Sequence, residues 1–196
     1  MNAVADEFFK KFRDAGLQCG LTIRPQQLDL SSSPPRQKQV AAREQGTIMV
    51  QKMQYARKRW GCNIFYVDSD GGPNDATAPS LFAQVLEKLP SALIIPENIW
   101  PKDYAYAAPL ASYTAPYKPL HTPSEVLAIW PRAFTVTYVG DAPNGDLKRN
   151  ERNPRQWEEF REAVGRGDIL TFRAWFEDEP LNSQVRELTH GVTSPK

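Results

Sequence analysis

Apolar positions along the chain recur with helical and strand periods in turn. Val4, Phe8 and Phe12 stand four apart ahead of Gly16, which predicts an amphipathic helix closed by a left-handed glycine. Cys19-Gly-Leu-Thr-Ile-Arg-Pro25 then reads as a short buried strand stopped by proline. After a Ser/Pro loop at 31–35 the order repeats. Met49, Met53, Ala56 and Trp60 lead to Gly61, and Asn63-Ile-Phe-Tyr-Val-Asp68 follows as a second strand. A third helix starts near Pro79, carries Phe82, Leu86 and Leu89, and precedes the strand Ala92-Leu-Ile-Ile-Pro-Glu97. Residues 98–123, dense in Pro, Tyr and Ala, read as a long loop with a helical turn. Ala133–Val139 is a fourth predicted strand. Asn153-Pro154 caps a helix bearing Trp157, Phe160 and Val164, closed by Gly165 and Gly167. Ile169–Trp175 is a fifth strand, and a last helix carries Leu181, Val185 and Leu188.

Helix alternating with strand favours an α/β fold of parallel strands joined by crossover helices. About five strands fit either a TIM-barrel-like but incomplete arrangement or, alternatively, an open doubly wound sheet; a closed barrel needs eight strands and typically about 250 residues. The 196 residues, 41% hydrophobic, are expected to form one α/β domain over 1–196. In both architectures the chemistry belongs at the carboxyl ends of the strands, where this pattern puts Arg24, Asp68, Glu97 and Trp175.

A net charge of +1 and a pI of about 7.7 argue against a nucleic-acid partner and against an anionic membrane surface. Arg57-Lys-Arg59 reads as the solvated face of its helix. No apolar run is long enough to span a membrane, and the first residues are too acidic for a secretory signal. The sequence as it stands points to the cytoplasm; secretion would follow if the natural N-terminus lay upstream. Cys19 and Cys62 lack the close spacing of a metal or redox pair and read as free buried thiols. His121 and His190 stand apart from any Cys or second His, so no metal or other cofactor is called for.

Asp68 ends an apolar strand beside Ser-Asp-Gly-Gly72, a functional address, although Asp68 or Asp70 would also serve to cap a turn. Glu97 occupies the same place one strand later, and glycoside cleavage needs two carboxyl groups, one protonated and one ionised. Asp141, after the fourth strand, is the competing second acid. Trp100, Tyr104, Tyr106, Tyr113 and Tyr117 crowd the loop after Glu97, where rings could stack on a sugar or form an apolar lid. Arg24, Arg173 and Trp175 are candidates for binding a hydroxyl or an anion.

Three pieces in order, Ala15-Gly-Leu-Gln-Cys-Gly-Leu-Thr-Ile23, Tyr55-Ala-Arg-Lys-Arg-Trp-Gly61 and Ile64-Phe-Tyr-Val-Asp68, resemble the α-galactosidase-like glycoside hydrolases. The likeness covers roughly the first seventy residues. It implies a (β/α)8 barrel, carbohydrate as substrate, Asp68 as nucleophile and an acid/base near Asp141 rather than Glu97. Tyr66 stands where that family has a lysine, and the family's cysteine soon after the nucleophile is missing. The likeness also implies that the remaining strands lie either upstream or, through self-association, in another copy. Phe65-Tyr-Val-Asp-Ser-Asp70 separately resembles the metal-binding Asp-x-Asp of nucleotide-sugar glycosyltransferases, in which Asp68 and Asp70 would hold a divalent ion. A third reading is a non-catalytic carbohydrate-binding or structural barrel remnant.

Overall fold

A computed structural model describes residues 2–68, 78–111, 120–139, 154–171 and 186–190. The chain divides into two compact units, Met1–Ala107 and Ala108–Lys196. Each contains a three-stranded parallel sheet.

In the first unit α1 (Asn2–Asp14) precedes β1 (Gly20–Ile23), and a small antiparallel hairpin follows, β2 (Gln27–Asp29) with β3 (Arg36–Lys38). Then come α2 (Ala42–Trp60), β4 (Ile64–Val67), α3 (Ala78–Lys88), β5 (Leu93–Pro96) and a 3-10 turn, Pro101–Ala105. The sheet order is β1-β4-β5, with Ile23 level with Val67 and Val67 level with Pro96. Alternate residues point to opposite faces of a strand. Ile23, Phe65, Val67 and Ile94 join Met49, Met53 and Ala56 of α2 and Phe82, Val85 and Leu89 of α3 in one core, while Thr22, Tyr66 and Ile95 belong to the other face. Burying each large side chain in that core contributes about 1.5–3 kcal/mol.

Two glycines matter to the geometry. Gly61 ends α2 at φ 69°, in the left-handed region where its N–H reaches the Arg57 carbonyl. Gly20 lies where a Cβ would stand 2.7 Å from the Ile64 carbonyl oxygen, so only glycine lets β1 approach β4 there.

The second unit holds β6 (Leu110–Ala111), α4 (Ser124–Ile129), β7 (Val136–Tyr138), α5 (Pro154–Gly165) and β8 (Ile169–Thr171), with order β6-β7-β8. Leu120, Val126, Val136, Val139, Phe160 and Ala163 are buried in it. At the amino end of β8 the buried Asp168 carboxylate accepts the Thr122 N–H at 2.9 Å, the Thr135 N–H at 2.7 Å and the Thr122 hydroxyl at 2.5 Å. This satisfied acid joins three segments at the sheet edge opposite the carboxyl ends, a place that serves stability.

Mixed α/β architecture with parallel strands is therefore established. A TIM-barrel-like arrangement, complete or partial, is not: neither three-stranded sheet is closed, and the longest row of neighbouring strands among the described residues is three. The predicted helices and strands otherwise occur in the expected order as far as the described residues reach; Leu181 and Val185 of the last predicted helix and residues 172–175 of the fifth predicted strand lie outside them. Additions are the β2–β3 hairpin, the two-residue β6 and the six-residue α4, all too short to show a period. The helical apolar face of α1 is a second correction. Val4, Phe8 and Phe12 are exposed, and α1 instead packs through Phe9, whose ring stacks on Trp60 of α2 at 5.1 Å. Asp6 on the same side accepts hydrogen bonds from Arg59 and from the Trp60 indole. Arg57 and Arg59 are thus tied into the fold, Arg57 through Asn63 and Ser91, rather than merely solvated.

Candidate functional site

The carboxyl edge of the first sheet positions the strongest candidates. Arg24, Asp68 and Glu97 each directly follow the in-register row Ile23, Val67 and Pro96. The ladder continues into them: the Asp68 N–H donates to the Ile23 carbonyl at 3.0 Å and the Glu97 N–H to the Val67 carbonyl at 3.0 Å. Because residues alternate across the sheet, all three share the side of Thr22, Tyr66 and Ile95, opposite the helix-packed core.

Asp68 lies between the other two in this row, and its side chain is engaged with Arg24. The Arg24 Nε and Nη2 donate to Asp68 Oδ2 at 2.8 and 2.5 Å. Arg24 is 39% exposed and Asp68 21%, which leaves the pair partly open to solvent. Glu97 is exposed. Lys52 of α2 holds the turn after β1 in place by donating to the Arg24 carbonyl at 2.8 Å and also to the Gln26 carbonyl. Desolvation of its ammonium pushes the Lys52 pKa below the ordinary lysine range. Gln26 itself is buried, and its Oε1 accepts no hydrogen bond among the described residues.

The aromatic loop is partly folded inward. Tyr104 is buried in the 3-10 turn, and Trp100 is half-buried with its indole Nε1 enclosed. Asp103 closes that turn, accepting the Trp100 N–H at 3.2 Å while its own N–H donates to the Trp100 carbonyl at 2.9 Å. Tyr106 remains exposed. Tyr113 and Tyr117 of that loop, and Asp70, Asp141, Arg173 and Trp175, lie outside the described residues. Among those described, no group of three or more His, Cys, Asp or Glu is placed to hold a metal ion. Both cysteines are free and buried, as their spacing suggests, and burial pushes the Cys62 thiol up to about 11.

Sequence reasoning reached Arg24, Asp68 and Glu97 by their positions after apolar strands, but not the ion pair between the first two. Opposite charges following the last buried residues of two adjacent parallel strands were the available signal. Lys52 escaped because it lies between Met49 and Met53 on a helix read for its apolar residues. Compared with known proteins, the chain matches no family model and no curated protein.

Proposed function

We propose that the first unit is a sector of a (β/α) barrel and that its carboxyl edge is a carbohydrate-processing site of glycoside hydrolase type. The carrying observation is the row Arg24, Asp68, Glu97, which sets two carboxyl groups at one register on adjacent parallel strands. The parallel, chain-order run β1-β4-β5 is what a barrel sector requires, and one half of a doubly wound sheet shares it. A nucleophilic Asp68 makes this a retaining enzyme, whose two carboxyl groups stand roughly 5–5.5 Å apart, against roughly 6.5–9.5 Å in an inverting one. In this reading Asp68, held by Arg24, attacks the anomeric carbon as Glu97 gives its proton to the departing glycosidic oxygen. Water then loses a proton to Glu97 and displaces Asp68. Asp141 remains the alternative acid/base implied by the family resemblance.

The test is hydrolysis of a panel of aryl glycosides by the parent, Asp68→Asn and Glu97→Gln. Turnover that falls by about 10²–10⁴ in each variant is expected. Glu97→Gln should recover on substrates with an acidic phenol leaving group, which needs little protonation. Turnover indifferent to Asp68 overturns the assignment.

The Arg24 contacts also favour a second reading, a carbohydrate-binding protein in which this ion pair is structural. Its mark is sugar binding by the parent that survives Asp68→Asn, with no turnover of any glycoside. The metal-dependent transferase reading turns on Asp70 and calls for manganese and a nucleotide sugar.

A further inference from the structure

Resting on the reading of Asp68 as nucleophile, the use Arg24 makes of its guanidinium narrows the substrate. The group is planar, and its N–H donors face outward along two edges that each match a carboxylate or a phosphate. One edge is taken, since Nε and Nη2 both donate to Asp68 Oδ2. The other, Nη1 with the second hydrogen of Nη2, has no partner among the described residues, and the side chain is 39% exposed. The Lys52 ammonium, which donates to the Arg24 carbonyl at 2.8 Å, brings a second positive charge to this end of the row. Asp68 is the ion-pair partner of Arg24, and the reaction removes that partner. As Asp68 bonds to the anomeric carbon and the glycosidic C–O bond breaks, its carboxylate becomes a neutral ester. Glu97 gives its proton to the departing oxygen and takes up the negative charge. Asp68 lies between Arg24 and Glu97 in the row, so the charge moves one strand further from the guanidinium. A cation that loses its adjacent counter-ion is stabilised by an anion that stays.

We propose that the sugar accepted at this edge carries an anionic group, a carboxylate or a phosphate, seated on the open edge of Arg24. A guanidinium meets either oxyanion with two parallel N–H···O bonds, which the point charge of a lysine does not. Arg24 then determines specificity: it orients Asp68 with one edge and selects acidic over neutral sugars with the other.

Two measurements on the full chain test this separately from the hydrolase reading. The first needs no turnover: calorimetric titration with free glucuronate, galacturonate, glucose 6-phosphate and galactose 6-phosphate, against glucose and galactose. At least one acidic sugar is expected to bind about tenfold or more tightly than its neutral counterpart, and the carboxylate and phosphate arms tell which anion the edge takes. Arg24→Met should abolish the preference, and Arg24→Lys, which keeps the charge without the fork, should retain part of it. The second is turnover of the corresponding 4-nitrophenyl glycosides, in which the ratio of acidic to neutral kcat/KM is expected to follow the same order across the parent and both variants. Binding that favours no acidic sugar overturns the proposal, as does a preference that the Arg24 variants leave unchanged; should Arg24→Met fail to fold, Arg24→Lys decides. Turnover of neutral glycosides alone overturns it too, while leaving the hydrolase reading in place. Arg24-dependent binding of an acidic sugar with no turnover of any glycoside supports the anionic ligand and overturns the hydrolase reading.

Discussion

At the scale of single residues, neighbours with similar side chains carry opposite burdens. Phe9 is buried and Phe8 beside it is exposed, so Phe9→Ala should cost about 3 kcal/mol and Phe8→Ala less than about 0.5 kcal/mol, both read by urea denaturation. Asp168→Ala would strip the acceptor from two buried backbone N–H groups. A loss of about 3 kcal/mol is expected by the same measurement, because each stranded donor costs about 1–3 kcal/mol. Arg24→Met should cost only about 1 kcal/mol, water screening the exposed part of the guanidinium. Cys62 has a folded pKa of about 11 against an ordinary 9.0. The raised value means that burying the neutral thiol adds stability below pH 9 that is progressively lost as pH rises through about 11. At the acid end Asp6 is held down at about 2, chiefly by the Arg59 hydrogen bond, against an ordinary 3.8. Its contribution is present above pH 3.8 and lost as pH falls through about 2, visible as detachment of α1 in an acid titration followed by Trp60 fluorescence.

Elements were legible where a period and a stop coincided. Met49, Met53 and Ala56 ahead of Gly61 located α2, and β4 and β5 stood out as unbroken apolar runs ended by a charge. The hairpin β2–β3 was hidden because Gln27, Arg36, Gln37 and Lys38 carry no alternation of apolar and polar residues; backbone pairing makes it, with Asp29 accepting from Ser31 in the turn. In α1 the period was right and the meaning was not. Its three-residue stripe indicated a helix correctly, but Phe9, Asp6 and Trp60 decide which side packs, and that is a tertiary matter. Trp60→Phe, which keeps a ring for Phe9 and removes the donor to Asp6, should therefore leave the helix content of the whole chain nearly unchanged while loosening α1 in hydrogen exchange.

For the molecule as a whole, each unit winds its parallel sheet in chain order, and in the first unit that winding brings Arg24, Asp68 and Glu97 into a single row. The row was partly readable beforehand, since a charge following each apolar strand needs only the assumption of parallel neighbours. The Arg24 to Asp68 bonds and the Lys52 clamp required coordinates, because they depend on which strands adjoin and on where α2 crosses them. The most direct test of a carbohydrate-cleaving site at this edge is covalent trapping: incubation with 2-deoxy-2-fluoroglycosyl fluorides of several sugars, followed by intact mass and peptide mapping. One glycosyl group attached at Asp68, absent from Asp68→Asn, is the expected result. A label on another carboxylate would contradict the assignment of Asp68, and turnover of glycosides with inverted configuration would contradict the retaining pair.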